Sequence, residues 1–142
     1  MALKIKVKRG AEAHFRKQAL HSTTEEMAYL IGEVVSPTLV RVDHWRYPDE
    51  FKLKDQKNVQ ATQAAEDRIK VWTEKHKRMI VGTIHSHPNW EAVLSPDDHK
   101  GHIEQCHRVS GVCAVRNNRT RVLYWIAESS LPCEVEYIKG NQ

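Results

Sequence analysis

His85 and His87 stand one residue apart in the run Ile84-His85-Ser86-His87-Pro88, and Ser95-Pro96-Asp97-Asp98 follows it after a short interval. Two imidazoles and a carboxylate are the donors of a catalytic zinc, which takes three protein ligands and keeps its fourth tetrahedral position for water. The spacing allows it. Met79-Ile80-Val81-Gly82-Thr83-Ile84 is almost wholly apolar and rich in β-branched residues, so it reads as a buried strand running into the histidines. In an extended chain the side chains at i and i+2 share a face, roughly 6.5–7 Å apart. His85 and His87 can therefore turn toward one ion at Zn–N distances of about 2.0–2.1 Å. Asp98 lies eleven residues past His87, across a loop long enough to fold back and supply the carboxylate.

Each half of this set also has an ordinary structural reading. A His-x-His at a strand end is commonly two unremarkable histidines. Ser95-Pro96-Asp97-Asp98 is a good helix start, with Ser95 as N-cap, Pro96 at the first helical position and acids in the first turn. Asp98 then sits where a capping box places its return acceptor. Neither half decides the matter alone; the two together at this spacing do.

The combination resembles the JAMM (MPN-plus) zinc metallopeptidases, whose motif is an upstream glutamate, then His-Ser/Thr-His-Pro, seven residues, Ser, two residues and Asp. His85-Ser86-His87-Pro88, the seven residues 88–94 after His87, Ser95 and Asp98 fit that pattern. The family's glutamate commonly lies seven residues before a glycine that closes a short apolar strand, a frame that Glu25, Met27, Leu30 and Gly32 match. The resemblance covers residues 25–124, and outside the motif it rests on pattern. One departure is Ala28, where members commonly carry glycine. Glu25 and Glu26 compete for the glutamate's role, and strand alternation puts them on opposite faces, so only one can face a metal. The glycine frame favours Glu25. The plain alternative for either is an exposed acid in a turn after Ser22-Thr23-Thr24.

The resemblance implies a single-domain α/β sandwich over residues 1–142, the MPN/JAB fold, similar to the cytidine deaminases. It implies Zn2+ on His85, His87 and Asp98. Zinc lowers the pKa of a bound water from about 15.7 toward 7 and polarises a carbonyl. Glu25 is then expected to carry the proton to the leaving amine, and Ser95 to steady the oxyanion with its hydroxyl. Ser86, pointing away from the two histidines, is given a packing role. Trp90, between His87 and Ser95, is expected to wall the substrate groove. The implied reaction is hydrolysis of an amide or isopeptide bond at the C-terminal tail of ubiquitin or a ubiquitin-like protein, as in the compact prokaryotic or viral members. A thin tail ending in Gly-Gly enters such a cleft better than a folded loop, and an exposed strand edge can hold it. Small acyl-amide hydrolysis or precursor processing is the alternative, followed by a non-catalytic scaffold.

Composition narrows the remaining classes. With 40% hydrophobic and 28% charged residues the 142-residue chain is an ordinary globular domain. No stretch approaches the roughly 18 apolar residues of a membrane span. The first eight residues alternate charge with apolar side chains and lack a signal peptide's apolar centre, so a cytoplasmic protein with no membrane partner is expected. Cys106, Cys113 and Cys133 are odd in number and contain no Cys-x-x-Cys, which argues against a disulfide framework. Cys113 is expected in the core. The charge of +4 invites a nucleic-acid reading. Its basic clusters at residues 4–9, 68–78 and 116–121 lack interleaved aromatics, so they read as solvated faces and no nucleic-acid partner is expected. A zinc deaminase needs His-x-Glu and Pro-Cys-x-x-Cys; here His87 replaces the glutamate and Glu136 the second cysteine. His99 and His102, three apart on a helix, read as surface histidines.

The elements that must position this site alternate between α and β. Strands are predicted at residues 3–7, 27–35, 39–47, 79–84, 109–116, 120–127 and 133–138. Helices are predicted at 11–21, with Ala13, Phe15, Ala19 and Leu20 available for burial, at 58–76 from apolar or small residues every three or four positions, and at 95–107.

Overall fold

The computed structural model describes residues 3–88, 108–126, 129 and 131–138. Its first strand, β1 (Lys4–Lys8), follows directly from alternation: Ile5 and Val7 are buried, and Lys4, Lys6 and Lys8 are half-buried. Helix α1 (Arg9–Leu20) starts without a loop and buries Glu12, Phe15 and Ala19, three and four residues apart. Of the residues expected to be available for burial, Ala13 is exposed and Leu20 only half-buried, and the buried position one turn before Phe15 belongs to an acid. Glu12 accepts hydrogen bonds from the hydroxyls of Tyr124 and Tyr137, each at 2.7 Å, and from Arg16 Nε at 3.0 Å. A buried carboxylate is tolerated when its lone pairs are met in this way.

Strands β2 (Met27–Ser36) and β3 (Leu39–Arg46) form an antiparallel hairpin. The next stretch departs from the sequence reading. Residues 58–61, expected to open a helix, include strand β5 (Val59–Ala61), which pairs with β4 (Phe51–Lys54) in a separate two-stranded sheet. Helix α2 (Gln63–Lys75) starts later because Thr62 caps it, its hydroxyl accepting the Ala65 amide at 3.1 Å. Then come β6 (Met79–Pro88), β7 (Val109–Arg116), β8 (Arg119–Ile126) and β9 (Glu134–Ile138). Strand β6 extends through both histidines, with Pro88 its last residue. Asn117 and Asn118, both at positive φ (53° and 60°), make the tight turn between β7 and β8.

The large sheet has seven strands in the order β8-β7-β6-β2-β3-β1-β9. β6 runs parallel to β7 and antiparallel to β2. The Cys133 amide, just before β9, donates to the Tyr124 carbonyl on β8 at 2.8 Å. The two edges of the sheet therefore approach each other, and the sheet curls like a barrel around α1. One core lies on that side, with Phe15 and Ala19 against Ala28, Leu30, Ile84 and Cys113. On the opposite face Met27, Tyr29 and Ile31 pack with Ile69 of α2 and with Phe51, Val59 and Ala61 of the small hairpin. Close strand approach depends on two glycines: a Cβ on Gly32 would collide with the Arg41 carbonyl oxygen, and one on Gly82 with that of Val109. Gly32 does not close its strand, because β2 continues to Ser36. No helix among the described residues is long and apolar enough to cross a membrane.

Candidate metal centre

Strand β6 lies inside the large sheet, so the positions of its side chains are set by both neighbours. His85 is registered with Met27 on β2 and with Val112 on β7; His87 is registered with Ala114. Met27 belongs to the core on the α2 side, which places both imidazoles on that face of the sheet by alternation. Their Nε2 atoms come within 2.9 Å of one another, with ring centroids 4.7 Å apart and planes at 64°. Such a contact is either a hydrogen bond, one ring donating its Nε2–H to the lone pair of the other, or the approach of two lone pairs to a shared cation. Two nitrogens on a common tetrahedral zinc lie about 3.3 Å apart, given Zn–N of about 2.05 Å. The pair therefore fits two ligand positions of such an ion after a small outward movement. Among the described residues no group of three or more His, Cys, Asp or Glu side chains is gathered for a metal. Asp98, the expected third ligand, lies outside the described residues, as do Ser95, Trp90, the helix at 95–107, His99, His102 and Cys106.

The two neighbouring glutamates are buried, 6% and 5% exposed, and neither is the exposed turn acid of the plain reading. Both stand just before β2, which begins at Met27. The Ser86 amide donates to the Glu26 carbonyl at 2.8 Å, one step beyond the Met27–His85 pair. The ladder ends there: Glu25 stands two residues before β2, and its amide donates to the Asp55 carbonyl at 2.8 Å. Gln18 of α1 donates to the Oε1 of Glu26 at 2.9 Å. Lys54 of β4 pairs with its Oε2 at 2.8 Å, and the hydroxyls of Ser22 and Thr24 reach the same oxygen at 3.1 and 3.3 Å. This network escaped sequence reasoning, since its members come from three stretches, α1, the turn before β2 and β4, and carry no recognisable pattern.

Ser86, between the histidines, is fully buried and faces away from them as expected. It does more than pack: its Oγ accepts the Glu26 amide at 2.7 Å, in place of a second backbone bond between the two strands. Ser86→Ala leaves that amide buried with no acceptor, and the expected loss of stability is about 1–3 kcal/mol. Urea denaturation checks it; a loss below about 0.5 kcal/mol would mean the amide finds another acceptor.

Cys113 is completely buried, and burial pushes its thiol up to about 12; burial likewise raises Cys133 to about 11. Burial thus disfavours the thiolate of both, which argues against either as a nucleophile.

The fold has a solved counterpart. The solution structure of protein DSY2949 from Desulfitobacterium hafniense is similar with a TM-score of 0.68, covering 96% of this chain and 94% of that one at 11% identity. That likeness is one of fold. No curated protein is significantly similar to the chain. The family model described as prokaryotic homologs of the JAB domain matches residues 8–130. That span holds the histidine pair, Glu25 and the strands that carry them, and the chain belongs to this family.

Proposed function

We propose that the chain is a zinc-dependent peptidase that hydrolyses an amide or isopeptide bond at the C-terminal tail of a ubiquitin-like protein. The observation that supports this reading is the approach of His85 Nε2 to His87 Nε2 at 2.9 Å on one face of β6, with the buried Glu25 just before the neighbouring strand β2. His85, His87 and Asp98 would hold the ion. When bound, the ion supplies the acidity that activates a water at neutral pH and the charge that polarises the scissile carbonyl. The chain's residues do the rest. Glu25 accepts a proton from the attacking water as its oxygen bonds to the carbonyl carbon, and Ser95 donates a hydrogen bond to the oxygen that gains charge. Glu25 then returns the proton to the nitrogen as the C–N bond breaks, releasing a free amine and a carboxylate.

The proton carrier suits the fold. Glu25 is buried beside a strand end, where a carboxylate can be held at one distance from its target. Selectivity must come from what fits the cleft, since any amide carbonyl that reaches the site is chemically competent. The test is mass spectrometry of ubiquitin-like conjugates and linear fusions incubated with the zinc-loaded protein, with and without a chelator. Cleavage after the tail's terminal glycine, lost with the chelator, is the expected result. Hydrolysis of small acyl-amides with intact tails would overturn the substrate and keep the chemistry. No hydrolysis of either, by protein that holds zinc, would overturn the peptidase reading and favour a scaffold.

A further inference from the structure

The buried Glu26 carboxylate has no part in the chemistry above, yet it gathers donors from α1, from the turn before β2 and from β4: Gln18, Ser22, Thr24 and Lys54. Residues 25 and 26 meet residues 54 and 55 at two points. The Glu25 amide donates to the Asp55 carbonyl at 2.8 Å, and the Glu26 carboxylate holds the Lys54 ammonium at 2.8 Å. On its other side the Glu26 backbone is clamped to Ser86, through the Oγ contact at 2.7 Å and the amide contact at 2.8 Å. The Lys54 ammonium also lies 4.8 Å from the centre of the Phe51 ring, which packs against the Met27 core. The small β4–β5 hairpin is thus fastened to the start of β2 beside the residue between the two histidines.

We infer that Glu26 is a positioning residue: by latching Lys54 it seats the β4–β5 hairpin, and the seated hairpin fixes the Glu25 backbone through the Asp55 carbonyl. The inference rests on the reading of Glu25 as the proton carrier. Glu25 precedes the first residue of β2, so its own amide bond to Asp55 and its neighbour's clamp to Ser86 set its direction. Stability gives a weaker account of this network. Replacing a buried ion pair by apolar groups of the same shape is often neutral or favourable, whereas geometry at a reacting centre is lost with small displacements.

Amide hydrogen exchange and turnover of Glu26→Gln, Lys54→Met and the double variant test it. The lysine variant keeps the buried carboxylate with its three other donors, so the latch is broken even if the glutamine form folds poorly. The Glu25 amide is expected to exchange at least about tenfold faster in each single variant and no faster in the double, with Ile84 and Val112 little changed. Zinc uptake, measured by chelator competition with the metal alone, stays stoichiometric. On a cleaved ubiquitin-like fusion, kcat falls about 10- to 100-fold at unchanged KM. The inference is overturned if Glu25 exchange is unmoved in both singles, or if the whole sheet speeds up by the same factor. It is also overturned if kcat survives a loosened Glu25. Should no form cleave any fusion, the peptidase reading fails, while exchange still decides whether Glu26 holds Glu25.

Discussion

Glu25→Gln is expected to leave the fold and the zinc in place and to lower turnover by about 10²- to 10⁴-fold, the range contributed by a positioned proton carrier. The amide keeps the size of the carboxylate and can still occupy its buried place, but it cannot accept and return a proton at neutral pH. Three measurements belong together: kcat on the cleaved fusion, bound zinc per chain, and the melting temperature. A deep loss of kcat with the other two unchanged assigns the role. Glu26→Gln is the contrasting variant. The network around its carboxylate makes it a variant of hairpin seating, with a smaller loss of turnover. If Glu26→Gln were the deeper lesion and Glu25→Gln the mild one, the roles of the two glutamates would be exchanged.

His85→Ala and His87→Ala are each expected to abolish stoichiometric zinc, lowering affinity by at least about 100-fold, since even supporting residues around a metal cost 10- to 100-fold when removed. An ion held by three protein ligands would have no spare donor to recruit. The two variants are not equivalent structurally. His87 is 5% exposed and its removal opens space beside Ala114, whereas His85 is half-buried. A larger fall in melting temperature is therefore expected for His87→Ala. Metal analysis after dialysis decides the assignment: zinc that stays at one per chain in both variants means that other side chains hold it. Asp98→Ala completes the set and needs a melting measurement beside it, because the same carboxylate also suits a helix cap.

Much of the architecture was legible because it rests on local rules. Alternating Lys and apolar residues give β1, and the apolar run of residues 79–84 gives the strand that carries the histidines. Two apolar strands about Asn117-Asn118 give the β7–β8 hairpin, with both asparagines in the left-handed region that the turn requires. Cys113 lies in the core for the same reason. The small hairpin was hidden. Phe51-Lys52-Leu53-Lys54 is short and mostly exposed, and Val59 and Ala61 fall on the helical spacing that continues into α2, so only pairing with β4 makes residues 59–61 a strand. Glu12 was hidden as well, since an acid in the first turn of a helix reads as a favourable surface charge until Tyr124 and Tyr137, from more than a hundred residues away, close over it.

At the site itself the division is sharper. The residue types and the His-x-His spacing follow from sequence alone, because two residues apart on one strand is a local distance that no tertiary contact changes. Which of two adjacent glutamates faces the histidines does not. A strand presents alternate residues to opposite faces, and a shift of one residue exchanges them; what bears on the choice is the pairing of Met27 with His85, across nearly sixty residues of chain, and the partners that occupy the Glu26 carboxylate. The same pairing brings Ser86 to the Glu26 amide, and the fold then delivers Gln18 and Lys54 to its carboxylate. Sequence determined which groups are present and which of them share a strand; the pairing between strands decided which of them meet.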